Sequence, residues 1–474
     1  MNNINIFNIR LGFATNSSSS HSIMWFEDKD LKELRGNQED DTAFGWGDFV
    51  LKSKGSKLNY LQAQVCENLS RQKVPEKIIQ QVASLFLGEK PKPNKSEMSV
   101  DHQSVFCLPK DFEYEYIDMD FLKDFKKFIL QDNIVIFGGN DNDADEHTSY
   151  KALGKDIGVK LNLEGGSIYS PVSVCRKDGD FWVVFNKDNG TKVRFSFNAN
   201  KKEYKKSKYP ELVDLKIIDY CESNCPYCYQ NSSIEGKYVD KQKLYSIFYR
   251  LSDHKVFEVA IGGGDVMSHP DIMEILGYCR NLGMIPNISV RSTSWLHDEK
   301  KRRVLELCGG IAFSVSNSNE IENIDKIFTD LKLPKNKVTF QVILELVDLA
   351  DIIKACKNPN ETYWLYPLTI LGVKDVGRGK GFEWKKVDES WVKLVSRSQS
   401  NTGIDTILAR KYHDDLDKYG VSRLLRTEEE GKFSMYIDAV NGKFGESSYC
   451  DTLYDFNPDK FNWFDEMMKK YKEF

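Results

Sequence analysis

From about residue 211 to about residue 400, apolar strand-like runs alternate with amphipathic helical ones. No other feature of the chain narrows its fold as much. Expected strands lie at 212–219, 256–261, 286–291, 310–315, 337–344 and 362–368. Expected helices fall near 240–252, 270–283, 298–307, 320–331, 348–357 and 387–398. Strand, helix, strand in repetition predicts an α/β fold, a parallel sheet with helical crossovers. In the first strand Leu212, Asp214, Lys216 and Ile218 share one face, and Val213, Leu215 and Ile217 the other. The wholly apolar face belongs against the helices, which turns Asp214 and Lys216 inward. Two inward charges are costly unless they are paired or used. Both are therefore candidate catalytic residues, with an internal ion pair as the alternative.

The first strand leads into Cys221-Glu222-Ser223-Asn224-Cys225-Pro226-Tyr227-Cys228. One backbone curl at a strand end can aim three sulfurs at one centre. Thiolates are soft ligands that suit iron–sulfur clusters or zinc. A structural zinc site commonly takes two separated pairs of ligands, and no second pair is present. Three ligands on a four-iron cluster leave one iron open to a substrate. Zinc and plain reduced cysteines remain the alternatives on the residues alone.

With an aromatic residue, Tyr227, just before the last cysteine, this stretch resembles the signature of the radical S-adenosylmethionine (radical SAM) superfamily. A second stretch carries the same resemblance. Gly262-Gly263-Gly264-Asp265, followed by Ser268-His269-Pro270, is similar to the family's Gly-Gly-Glu-Pro motif with its trailing His-Pro. Asp265 stands for the usual Glu, keeping the carboxylate with one methylene less reach, and Val266 stands for the usual Pro. The resemblance covers roughly residues 206–400 and implies a partial (β/α)6 TIM-type barrel. It also implies a [4Fe–4S] cluster and S-adenosyl-L-methionine (SAM) as cofactors. Reductive cleavage of SAM would give a 5′-deoxyadenosyl radical that abstracts hydrogen from a substrate, with flavodoxin or ferredoxin as reductant. By the same resemblance Cys221, Cys225 and Cys228 are the cluster ligands. Tyr227 lies against adenine, Gly263 and Gly264 admit backbone N–H groups to the methionine part of SAM, and Asp265 takes its ammonium. Ser314, in Phe313-Ser314-Val315-Ser316, resembles the family's ribose-contacting serine, with a core-facing serine as the alternative. Arg291, charged at the end of an apolar strand, reads as an inward contact with the SAM carboxylate or as a surface guanidinium. Gly377-Arg378-Gly379-Lys380-Gly381 resembles the family's Gly-rich loop beside SAM.

The other regions are read more coarsely. Residues 1–155 are expected as an α+β N-terminal domain. Its helices lie at Leu58–Leu69, Glu76–Leu87 and Phe121–Leu130, with a strand at 133–137. The run Asn16-Ser17-Ser18-Ser19-Ser20 reads as a turn-forming loop, with an anion-binding turn as the alternative. The acidic stretch Asp141, Asp143, Asp145, Glu146, His147 reads as a solvated turn, with a metal or substrate site as the alternative. A calcium loop fails there because Glu146 sits where glycine is needed. Residues 156–205 are expected as a β-rich module, with a hairpin at Asn189-Gly190, that covers one end of the catalytic domain. Residues 401–474 form a mixed extension. Its Asn441-Gly442 hairpin resembles the opening of the SPASM-type auxiliary-cluster region of peptide-modifying relatives, but only Cys450 is present, so no auxiliary cluster is expected.

Composition closes off some classes. The chain has 474 residues, a net charge of −5 from 66 basic and 71 acidic side chains, and 41% apolar residues. It has no basic footprint for duplex nucleic acid, no apolar run long enough to span a membrane, and no evident secretory signal. Ten cysteines, scattered apart from the one cluster, do not form a disulfide framework, so a reducing, cytoplasmic location is expected. The Cys-Pro-Tyr-Cys-Tyr context and the SPASM-like hairpin, both similar to peptide maturases, imply a peptide or protein substrate. The alternatives are a nucleotide or small-metabolite modifier, and a non-catalytic SAM and iron–sulfur sensor or interaction protein.

Overall fold

The computed structural model describes residues 19–25, 43–44, 49–71, 73–87, 99–100, 108, 110–111, 117–132, 134–140, 160–162, 173–179, 181–188, 190, 192–195, 206–357, 365–397, 402–419, 421 and 430–474. It divides into two compact units, Met1–Tyr204 and Lys205–Phe474.

The first unit contains β1 (Ser19–Trp25), β2 (Ala43–Phe44), β3 (Phe49–Leu51), β4 (Ser99–Val100), β5 (Lys110–Asp111), β6 (Ile134–Asn140), β7 (Lys160–Asn162), β8 (Ser173–Asp178), β9 (Phe181–Asn186) and β10 (Lys192–Phe195). One sheet runs β3-β6-β1-β7 and another β10-β9-β8-β5. The expected helices are present at Lys54–Arg71, Glu76–Leu87 and Met119–Ile129. Asp118 caps the third, accepting from the N–H groups of Asp120 and Phe121. The serine run differs from its reading as a loop. Ser19 and Ser20 open β1, where Ser20 and His21 lie opposite the compact Gly139 and Gly138 of β6; Asn16, Ser17 and Ser18 lie outside the described residues, as does the acidic stretch 141–147.

The 156–205 module does not stand apart from the N-terminal region: Cys175, Trp182 and Val184 share one buried cluster with Phe121, Leu122 and Phe125 of the third helix, and the Trp182 indole donates to Asp124 at 3.1 Å. The hairpin is thus part of the first unit's core. Every residue of β9 is buried, as its unbroken apolar run Phe181-Trp182-Val183-Val184-Phe185 requires.

The second unit holds β11 (Leu212–Ile218), β12 (Glu258–Gly263), β13 (Ile285–Val290), β14 (Ile311–Ser314), β15 (Val338–Ile343), β16 (Leu368–Leu371), β17 (Thr402–Ile404), β18 (Ser434–Asp438), β19 (Lys443–Gly445) and β20 (Tyr454–Asp455). Their order is β17-β16-β15-β14-β13-β12-β11-β18-β19-β20. Every pairing from β17 through β18 is parallel. Helices such as Lys241–Asp253, Ile272–Asn281 and Ser318–Asp330 bury apolar stripes on the outside, for example Leu244, Ile247, Phe248 and Leu251. On β11, Val213, Leu215 and Ile217 are at most 1% exposed, which leaves Asp214 on the inner face.

Two strands extend the expected six. β17 continues the parallel sheet beyond residue 400, and β18 pairs in parallel with β11, from Leu212↔Ser434 to Lys216↔Asp438. The expected C-terminal extension is therefore built into the sheet. Side chains also span the open seam between β17 and β18. Thr406, just past β17, donates to Glu430, just before β18, at 2.6 Å. The sheet accordingly curls into a partial barrel.

Candidate cofactor site at the mouth of the barrel

The cysteine loop starts where β11 ends, and the chain that returns from it holds it in place. Cys221 N–H donates to Ser233 O at 2.9 Å, Ser233 N–H to Asp219 O at 3.1 Å, and Val239 N–H to Ile217 O at 3.0 Å. Within the loop, Cys228 N–H donates to Cys225 O at 3.1 Å. Asn224 takes φ +39°, a left-handed position that asparagine tolerates better than most residues. Cys221, Cys225 and Cys228 are all free and half-buried. By contrast Cys66, Cys175, Cys279, Cys308 and Cys356 are free and buried. Burial pushes the thiols of Cys308 and Cys356 up to about 12. Cys107 lies outside the described residues.

A brace reaches the loop from behind. Arg378 donates three hydrogen bonds to it: backbone N–H to Cys228 O at 3.0 Å, Nε to Cys225 O at 3.0 Å, and Nη2 to Ser232 O at 2.8 Å. Gly377, at φ +58°, lets this segment sit against Tyr229, whose carbonyl oxygen is 2.3 Å from where a Cβ would be. Within the Gly-rich stretch, Arg378 grips the backbone of two of the three cysteines. Nothing local in the sequence reveals that role.

The β12 motif serves the same loop. A Cβ on Gly263 would come 2.1 Å from Ile218 O, and one on Gly264 2.1 Å from Tyr220 O. Gly264 N–H donates to Ile218 O at 2.7 Å, and Asp265 N–H to Tyr220 O at 2.8 Å. These glycines therefore let β12 dock on the root of the cysteine loop. The Gly264 N–H is thereby engaged by the backbone of β11. A Cβ on Gly262 would meet nothing within 4 Å, so the open space lies one residue earlier. The Asp265 carboxylate accepts from Met267 N–H at 3.2 Å and Ser268 Oγ at 2.9 Å. His269 is buried, with Nε2 2.9 Å from Val239 O and Nδ1 accepting from Asp271 N–H at 3.1 Å. Burial lowers its pKa, which fits a neutral ring fixing the start of the next helix.

Around Tyr227 the structure gathers residues from several strands. Its ring meets Phe382 at 5.6 Å and Trp384 at 6.0 Å, an aromatic group that the sequence did not single out. Arg291 donates to Ser316 Oγ at 2.9 Å and lies 3.6 Å from Glu320. Ser314 Oγ accepts from the Gln341 amide at 2.6 Å, which leaves its own hydroxyl hydrogen free to donate. Lys216 is 6% exposed and paired with Asp219 at 2.6 Å and Asp438 at 3.3 Å. Lys216 is thus in an internal ion pair, made with Asp219 and Asp438 and not with Asp214. Asp438 in turn accepts from Asn441 N–H and Nδ2, both at 2.9 Å, so Lys216 ties the C-terminal hairpin to the residue just ahead of the cysteine loop.

The donor set fits an iron–sulfur cluster better than a single ion. Among the described residues no three His, Cys, Asp or Glu side chains converge as on one metal ion. A four-iron cluster asks instead for one thiolate on each of three separate irons, which three half-buried thiols on one braced loop can supply.

Residues 215–353 match the radical SAM superfamily model, and the chain carries a radical SAM domain there. That superfamily works with a [4Fe–4S] cluster and SAM. Among curated proteins, PqqA peptide cyclase of Gluconobacter oxydans (strain 621H) is 26% identical over 102 residues, 21% of this chain. The match spans only 28% of that relative's length. Among solved structures, Streptococcus suis SuiB bound to S-adenosylmethionine matches with a TM-score of 0.44 at 12% identity, covering 60% of this chain and 85% of that one. SuiB bound to its precursor peptide SuiA gives 0.41 at 12% identity, covering 56% and 67%. No helix among the described residues is long and apolar enough to cross a membrane.

Proposed function

We propose that this protein is a radical SAM enzyme that modifies a peptide or protein. The observation that carries the reading is the loop of three half-buried cysteines, braced at the end of β11 in a radical SAM domain. Cys221, Cys225 and Cys228 would hold the [4Fe–4S] cluster. Tyr227 would lie along the adenine, with Ser314 toward the ribose. Asp265 would take the SAM ammonium on carboxylate lone pairs left by its two local bonds, Arg291 would take the carboxylate, and Gly263 and Gly264 would form the floor. When bound, cluster and SAM supply reductive C–S cleavage and a radical able to abstract hydrogen. The protein's part is position and exclusion of water. The Tyr227, Phe382 and Trp384 rings shield one side, and Arg378 keeps the ligand loop from shifting.

The peptide substrate is supported by the likeness to PqqA peptide cyclase, whose name states a peptide substrate. A reductant of the flavodoxin or ferredoxin type and a cytoplasmic setting follow from the chemistry, because an exposed cluster needs reducing surroundings. The test compares SAM cleavage by the reduced, cluster-loaded protein with a panel of peptides and with a panel of nucleotides. Acceleration by a peptide, with a mass change in that peptide, is expected. Acceleration by a nucleotide alone would move the substrate to the small-metabolite class.

A further inference from the structure

Inside the barrel, close to Tyr229 and so one residue from the last cysteine, two opposite charges lie within electrostatic reach of each other without forming an ion pair. Asp214, half-buried on the inner face of β11, has no hydrogen-bond or ion-pair partner among the described residues, although its carboxyl lies within electrostatic reach of Lys374 and Glu430. Lys374, in the loop after β16, likewise has no carboxylate of the described residues within 4.0 Å. Its ammonium lies over the rings of Tyr229 at 4.2 Å and Tyr449 at 4.9 Å.

The neighbouring carboxylates are already occupied. Glu430 accepts from Thr406 and from Tyr449, both at 2.6 Å. Asp405 accepts from the N–H groups of Gly372 and Leu408, both at 3.0 Å. Unpaired charges in a desolvated place are expensive to keep, and they concentrate where they are used.

We infer that Asp214 and Lys374 form a substrate-anchoring site for a neutral amide, either a peptide unit or a carboxamide side chain. Its N–H donates to Asp214 and its C=O accepts from Lys374. A carboxylate at this place would meet Lys374 but be repelled by Asp214, and an ammonium would meet the reverse. Only a group with a donor and an acceptor, and no net charge, satisfies both ends. Both side chains are half-buried, and burial pushes the Asp214 carboxyl up to about 6. The inference rests on the peptide-modifying reading and names the group by which such a substrate is held near the cofactor site.

The test uses the full chain, cluster-reconstituted and with SAM, and three probes observed by saturation-transfer NMR: N-acetylglycinamide, acetate and ethylammonium. N-acetylglycinamide is expected to bind. Its affinity should fall about threefold or more in Asp214→Leu and in Lys374→Met, the loss of one hydrogen bond in each. Acetate and ethylammonium should bind more weakly than the amide. Binding of either ion as tightly as the amide overturns the proposal. So does absent amide binding, or amide binding unchanged in both variants. Thermal melting reports folding of each variant, and Lys374→Met, on a loop, decides the question if Asp214→Leu does not fold. Iron and SAM content are measured in the same samples. A wild-type chain that lacks both sinks the radical SAM reading, while probe binding still decides the amide site.

Discussion

The mouth of the barrel and its interior are built on opposite principles. At the mouth, groups are matched: Arg378 satisfies two carbonyls of the cysteine loop with its side chain and a third with its backbone. Gly263 and Gly264 bring β12 within a Cβ's width of the β11 end, and Lys216 has two carboxylate partners. A few residues deeper, Asp214 and Lys374 are left unmatched. A cradle for a cofactor gains from rigidity, because misplacement of a reacting atom by even a fraction of an ångström is costly in rate. A place for a substrate has to leave its hydrogen bonds to the substrate. The same strand serves both, with Lys216 in the matched set and Asp214 two residues away in the unmatched one.

That contrast can be broken most sharply at Arg378. Replacing it with alanine removes two charge-assisted hydrogen bonds to loop carbonyls and should cost about 3 kcal/mol. Iron bound per chain after reconstitution should fall severalfold, with lysine at the same position recovering little because it lacks the planar fork. Unchanged iron content in Arg378→Ala would mean that the loop holds itself.

Asp214 should behave in the opposite way. Its folded-state pKa is pushed up to about 6 by burial first, offset in part by Lys374. Between the ordinary carboxylate range and about 6 the folded chain binds a proton that the unfolded chain has released. Stability is therefore lost as pH rises through that window and stays lower above it. Asp214→Asn removes this penalty, flattens the melting temperature between about pH 4 and pH 6, and stabilises the protein above pH 6 by up to about 3 kcal/mol, while product formation falls. A variant less stable at pH 8 would show that Asp214 is paired after all.

The smallest effect concerns the thiols. With iron absent, brief alkylation at pH 8 should modify Cys221, Cys225 and Cys228 and leave Cys279, Cys308 and Cys356 untouched, since burial raises all three of the latter. Peptide mapping by mass spectrometry reads the pattern. Labelling of Cys308 before Cys225 would contradict the division between ligand and core thiols.

Much of the barrel was legible in the sequence. The first five strands fall within two residues of their expected starts and ends, because apolar runs bounded by Gly, Asn and Lys clusters state both length and direction. The sixth was drawn at 362–368 but is Leu368–Leu371, beginning directly after Pro367, whose missing N–H suits the edge of a strand and not its middle. β17 has three residues, one of them Gly403, and gives no periodic signal. The parallel pairing of β18 with β11 joins residues more than two hundred positions apart, and no local pattern encodes it. At the site, the cysteines and Asp265 were legible as chemistry. Arg378, Lys374, Phe382 and Trp384 were not singled out for the roles they have, because each acquires its part only through chain that arrives from another strand.

The central claim is that the loop from Cys221 to Cys228 holds a cluster that cleaves SAM. Anaerobic reconstitution with iron and sulfide, reduction with excess dithionite, and quantification of 5′-deoxyadenosine after SAM addition, with and without the peptide panel, test it beside Cys225→Ala. Product from the wild type that disappears in Cys225→Ala is the predicted result. Equal product from both, or none from a wild-type chain that holds its full iron and binds SAM, would contradict it.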